Sequence, residues 1–176
     1  MNLARRSVLS GGGACLAAGL LLPLVARANA GPVEIGMVGN ADGSRVWFDP
    51  IGLHVQPGQV LRWTNRDTGN SHTATAYHPR VNNRPLRVPP GAEPWDSDYR
   101  LPGETFSLTL TVPGVYDYYC VPHEHAGMVG RIVVGEPAAD FEFPTPDTDV
   151  EAVPEAALAA FPEVAEILAR GIIRGK

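Results

Sequence analysis

Apolar and polar residues alternate in short stretches between residues 33 and 135, a pattern typical of β-strands with one face in a core. The clearest stretch is 105–111, where Phe106, Leu108 and Leu110 alternate with threonine and serine. Pairs of proline and glycine, such as Pro57-Gly58, separate the stretches and mark turns. The predicted strands are Val33–Val38, Val46–Phe48, Gly52–Val55, Val60–Asn65, Ser71–Ala76, Thr105–Thr111, Gly114–Tyr119 and Gly130–Val134. Short strands at this density predict an all-β fold, either a Greek-key β-sandwich or a barrel.

Two regions depart from this alternation. Residues 78–100 are rich in proline and show no clear period, so we predict a long ordered loop there. Residues 136–155 are acidic and broken by prolines, which predicts a linker, and apolar spacing from about Pro162 to Arg170 predicts one short amphipathic helix. The expected organisation is an all-β domain at 31–135 followed by a linker and a short C-terminal helical extension at 136–176.

Residues 1–30 have the layout of a cleaved export signal. Arg5 and Arg6 precede an apolar run from Val8 to Val25, and the segment ends in Ala28-Asn29-Ala30. The sequence "RRSVL" also resembles the twin-arginine signal of the bacterial route that exports folded proteins. We therefore predict cleavage after this segment, no stable membrane insertion after its removal, and a periplasmic or otherwise extracytoplasmic protein.

Removing the signal changes both the charge and the cysteine count. The chain has 14 basic and 19 acidic residues, and the loss of three arginines leaves a formal charge of −8. Cys15 would also be lost, although its lipidation stays open despite the absence of leucine three positions before it. Cys120 would then be the only thiol, which excludes an internal disulfide. A lone cysteine in an oxidising compartment is expected to be deeply buried or bound to a metal.

A loop with four potential metal donors is the strongest chemical signal in the sequence. The stretch "YYCVPHEHAGMVG" (118–130) contains Cys120, two histidines at 123 and 125, and Met128. Thiolate, imidazole and thioether together form a soft donor set that suits copper as it cycles between two oxidation states. A further histidine must come from elsewhere, either His72 early in a predicted strand or His78 before a proline. No basic stripe, phosphate-binding glycine loop or serine nucleophile motif points to another chemistry.

The spacing Cys-x2-His-x4-Met in "YDYYCVPHEHAGMVGRIVV" resembles the copper loop of the cupredoxins, in their plastocyanin, pseudoazurin and amicyanin branch. The resemblance extends through "WFDPIGLHVQPGQVLRWTN" and covers roughly residues 33–135. It implies one type 1 copper ion held by His72, Cys120 and His123, with Met128 as the axial ligand. One departure is Thr73, where most members of this branch have an asparagine that ties the histidine segment to the cysteine loop.

The resemblance also implies a function. A protein of this kind is a monomeric carrier of single electrons that binds redox partner proteins briefly, near the exposed edge of His123. It is not an enzyme, because copper oxidases and nitrite reductases need further copper sites, and a binuclear centre needs a second cysteine in the loop. Copper buffering or delivery for copper tolerance remains the alternative.

Three histidines, His54, His78 and His125, are most simply structural or solvated, or else part of a second metal site.

Overall fold

The computed structural model describes residues 31–146 and 149–175, and the predicted export segment at 1–30 lies outside the described residues. Its strands are β1 (Val33–Gly39), β2 (Val46–Asp49), β3 (Gly52–Val55), β4 (Val60–Asn65), β5 (Thr75–Ala76), β6 (Thr105–Thr109), β7 (Gly114–Tyr119), β8 (Val129–Val134) and β9 (Ile172–Ile173). One sheet has the order β2-β1-β4-β6, and the other has the order β5-β7-β8-β3-β9.

The predicted all-β fold is confirmed, as a sandwich of two sheets and not as a closed barrel. Alternation along β4 shows how the core forms, since Leu61 and Trp63 are fully buried while Val60 and Arg62 are exposed. A barrel would require edge strands of the two sheets to pair. Within the described residues β6 pairs with β4 and β5 with β7, and neither forms a ladder with the opposite sheet.

The predicted strand at Ser71–Ala76 is shorter in the structure, where β5 covers two residues. Isolated bridges connect this segment to the long loop: His72, before the strand, pairs with Arg100, and Thr75, its first residue, pairs with Asp96. Proline lacks the N–H group that a continuous ladder needs, and the loop is rich in proline. Residues 78–100 are therefore an ordered loop, as predicted, and part of it supports the histidine segment.

The C-terminal extension contains two short helices where the sequence predicted one. Helix α1 is Glu155–Ala160 and helix α2 is Val164–Arg170. Phe161 between them is extended, with ψ of 129°, because a residue that precedes proline disfavours the helical region. No helix in the described ranges is long and apolar enough to cross a membrane.

The C-terminal extension covers the outer face of the second sheet. Every residue of β7 and β8 is buried, so these strands contact the core on one face and the extension on the other. Val115 and Val133 pack against Ile167 of α2. Burial on both faces explains why β8 shows a nearly continuous apolar run instead of a strict alternation.

Replacing Ile167 with alanine is expected to lower the free energy of unfolding by about 2–5 kcal/mol, because it leaves a cavity over the second sheet. Ile167 is fully buried, whereas Leu158 on α1 is 50% exposed. Leu158→Ala is therefore the matched control and should cost about 1 kcal/mol or less. Urea unfolding of both variants measures the difference; equal losses would show that α2 does not stabilise the sandwich.

Candidate metal centre

Three side chains from separate parts of the fold meet at one end of the sandwich. His72 precedes β5, Cys120 follows β7, and His123 lies in a 3-10 helix that spans Val121–Ala126. The sulfur of Cys120 lies 3.6 Å from Nδ1 of His72 and 3.4 Å from Nδ1 of His123. One ligand atom from each of the three residues lies within 4.8 Å of the others. Both imidazoles thus direct the same ring nitrogen at the thiol.

The copper-type loop is closed by its own backbone. The amide of Cys120 donates to the carbonyl of Met128 at 3.0 Å, and the amide of Met128 donates to the carbonyl of His123 at 3.1 Å. Gly127 turns the chain at φ of 78°, a left-handed conformation that glycine adopts without strain. These bonds hold Met128, which is fully buried, close to the histidine and the cysteine.

Thr73 connects the histidine segment to the cysteine loop, as an asparagine does in most members of the cupredoxin branch that the sequence resembles. Its backbone amide donates to the Cys120 sulfur at 3.3 Å, and its hydroxyl oxygen accepts a hydrogen bond from the amide of Val121 at 2.9 Å. The hydroxyl also pairs with that of Thr75 at 2.9 Å. Threonine therefore connects the two segments by hydrogen bonds, although the family pattern has asparagine at this position.

The protonation states of the two histidines suit a bound metal ion, whereas the thiol must lose its proton to bind one. Burial raises the pKa of the Cys120 thiol to about 11, against the opposing effect of hydrogen bonds from Thr73 and His123. Burial also lowers the pKa of both histidines, His72 and His123. Neutral imidazoles are the ligand form, and a coordinated metal ion deprotonates a thiol that burial alone keeps protonated. The group therefore fits a soft metal ion well.

A buried carboxylate, that of Asp67, contacts the ring nitrogen of His72 that is not directed at the sulfur. Oδ2 of Asp67 lies 3.0 Å from Nε2 of His72, which leaves Nδ1 directed at the sulfur. Burial opposes the ionisation of Asp67, but hydrogen bonds from Asn70, Gly69 and His72 outweigh it and lower its pKa to about 2. The five residues between Asp67 and His72 match no helix or strand period, so no sequence pattern indicates this contact.

Glu124, between the two loop histidines, is fixed by a second buried network. The Arg84 guanidinium forms an ion pair with it, and the Tyr77 hydroxyl donates to it at 2.6 Å. Arg84 also pairs with Glu151 at 3.0 Å, in the segment before α1. Arg84 and Glu124 are 3% and 4% exposed, so the partners of the Glu124 carboxylate lie inside the protein. The partners lie 40 and 47 residues away, and no local sequence pattern indicates them.

The remaining histidines lie apart from this group. Nε2 of His54 lies 2.9 Å from the carbonyl of Gly135, and Nδ1 of His78 accepts from the amide of Arg80 at 3.0 Å. His125 is exposed on the loop. In 31–146 and 149–175, the group of His72, Cys120 and His123 is the only cluster of three or more such ligands. The described residues therefore lend no support to a second metal site.

A two-sheet sandwich with a soft donor group at one end defines the class of small copper proteins. Residues 35–135 match the family described as copper binding proteins, plastocyanin/azurin family. The chain belongs to this family, and the family together with the donor set indicates one type 1 copper as its cofactor.

Individual relatives agree with this assignment. Chloroplastic plastocyanin of Hordeum vulgare is 37% identical over 119 residues, which are 68% of this chain and 71% of the relative. Pseudoazurin of Paracoccus pantotrophus is 32% identical over 120 residues, 68% of this chain and 74% of the relative. The structure of a pseudoazurin from Sinorhizobium meliltoi superposes with a TM-score of 0.51 at 30% identity, covering 73% of this chain and 90% of the other.

Proposed function

We propose that this protein carries single electrons between redox partners outside the cytoplasm, with His72, Cys120, His123 and Met128 as the copper ligands. The observation that carries the proposal is the group of three donor atoms within 4.8 Å, two of them on fully buried residues, with Met128 fixed beside it. Copper supplies the one-electron couple when bound. The likeness to plastocyanin and pseudoazurin supports a carrier without enzymatic activity of its own.

The scaffold suits repeated electron transfer because it fixes the donors from both sides. Thr73 holds the Cys120 loop to the histidine segment, and Asp67 holds His72. Side chains locked by packing and hydrogen bonds keep nearly the same geometry in both oxidation states. Little rearrangement is then needed each time an electron enters or leaves.

His123 is the ligand through which electrons are proposed to pass. His72 is fully buried, whereas His123 is partly exposed and lies beside the exposed residues Val121, Pro122 and Ala126. A small apolar surface of this kind suits brief contacts with partner proteins, since short-lived redox complexes bury little area. The protein is proposed to act as a monomer.

Copper counting, spectroscopy and voltammetry on the purified protein test the proposed function. A carrier should bind one copper per chain tightly, with an intense visible band, a type 1 paramagnetic resonance signal and a fast reversible couple. Copper buffering or delivery would instead give two or more exchangeable ions, measured by titration with native mass spectrometry. That result, or the absence of a reversible couple, would overturn the proposal.

Export is part of the proposal and rests on the sequence pattern of residues 1–30. Signal removal after Ala30 would give a mature chain that begins at Gly31. Intact-mass measurement of the protein recovered from the periplasmic fraction of a bacterial host tests this directly. Recovery of the uncleaved chain in the cytoplasmic fraction would contradict it.

Replacing Met128 with leucine is expected to keep copper bound and to raise the reduction potential. The leucine fills the same buried space, but it removes a thioether donor that favours the oxidised ion at this position. Voltammetry of the variant beside the wild-type protein measures the shift. An unchanged potential with unchanged copper content would show that Met128 is not a ligand.

A further inference from the structure

Asp67 occupies a site built for a carboxylate. Its Oδ1 accepts a hydrogen bond from the amide of Gly69 at 2.8 Å, and its Oδ2 accepts one from the side-chain amide of Asn70 at 2.9 Å. The same Oδ2 lies 3.0 Å from Nε2 of His72. An asparagine has one acceptor oxygen, so it would face one of these donors with its own NH2 group.

The surroundings leave room for this side chain and little else. A Cβ atom at Gly39 would lie 2.1 Å from Oδ2 of Asp67, so glycine is required where β1 passes the carboxylate. Oδ1 of Asn65 accepts from the Asp67 amide at 2.9 Å, and the Asn65 side chain also donates to two backbone carbonyls. Asp67 is 5% exposed, so its charge is poorly screened by water.

We infer that Asp67 is a positioning and tuning residue for the copper centre. It fixes the tautomer of His72 that carries its proton on Nε2 and directs the unprotonated Nδ1 at the metal site, and it lowers the reduction potential. A carboxylate that accepts the Nε2–H bond holds the proton on that nitrogen and makes Nδ1 a stronger donor. A stronger donor favours the more highly charged, oxidised ion. This inference rests on the proposed ligand role of His72.

Asp67→Asn is the direct test, with Asp98→Asn as the matched control. Asp98 is exposed, and its φ of 53° is a conformation that asparagine also adopts, so its replacement removes one charge without touching a ligand. Asp67→Asn should weaken binding of oxidised copper by about 10–100-fold, as is typical of such partners, and affect reduced copper less. A tenfold difference between the two states raises the potential by about 59 mV. The control should shift the potential far less.

A measurement without copper tests the geometry independently. In the metal-free wild-type protein, nitrogen-15 resonance spectra should show His72 protonated at Nε2, and Asp67→Asn should shift that signal or mix the tautomers. If the two aspartate variants have equal reduction potentials while the wild-type protein shows a normal type 1 signal, the tuning role of Asp67 is wrong and the proposed function stands. Absence of a type 1 signal in the wild-type protein would instead overturn the proposed function.

Discussion

Cys120→Ser is expected to remove the intense visible absorption of the copper protein completely. That absorption requires electron transfer from a thiolate sulfur to copper, and a serine oxygen is a harder donor that lacks the transition. The fold should survive, because the replacement is nearly isosteric and the serine oxygen can accept the hydrogen bond that Thr73 now donates to sulfur. Visible spectra recorded with copper counted per chain measure the effect.

His125→Ala provides the control for this experiment. His125 is exposed and lies two residues from His123 in the same loop, outside the gathered group. Its replacement should leave the band and the copper count unchanged. A Cys120→Ser protein that keeps the band would disprove the assignment of Cys120 as a ligand. Loss of colour in His125→Ala would show that the second loop histidine takes part.

Arg84→Met is expected to lower the free energy of unfolding by about 3–5 kcal/mol, the usual result of removing one partner of a buried ion pair. The replacement leaves the Glu124 carboxylate buried with the Tyr77 hydroxyl as its remaining partner there. It also removes the ion pair with Glu151 that connects the loop region to the C-terminal extension. Methionine keeps much of the packing volume over the rings of Tyr77 and Tyr119, so the loss reports mainly the charge.

Two further variants separate this effect from general damage. Arg80→Met breaks the exposed pair with Glu93, whose side chains are 60% and 84% exposed, and should cost about 1 kcal/mol or less. Adding Glu124→Gln to Arg84→Met removes the stranded charge and should recover part of the loss. Urea unfolding of the metal-free proteins gives all the values. If Arg84→Met costs no more than Arg80→Met, the buried network does not stabilise the fold.

Glu124 directly follows His123, so the same network also bears on the copper loop. Its carboxylate is held between Arg84 and Tyr77, and burial together with Glu124 raises the pKa of Tyr77, which keeps the hydroxyl a neutral donor. The ion pair with Arg84 and the hydrogen bond from Tyr77 give this acid a structural role.

Most strands were predictable from the sequence because alternation is a local consequence of backbone geometry. On β4 the side chains of Leu61 and Trp63 point to one face because successive residues alternate sides, whatever the rest of the chain does. The prediction was poorer at Ser71–Ala76, where pairing with the long loop replaces a regular ladder. It also missed α1, since six residues with a proline soon after give a weak periodic signal.

The sequence by itself determined the chemistry of the loop, because Cys120, His123 and Met128 lie in one short segment that a 3-10 helix and Gly127 fold back on itself. The tertiary structure alone decided which distant groups surround that loop. His72 reaches the sulfur from 48 residues away, Arg84 reaches Glu124 from 40 residues away, and the C-terminal extension covers β7 and β8. Such contacts depend on how whole sheets pack and on which buried polar groups find partners, and no short stretch of residues encodes either.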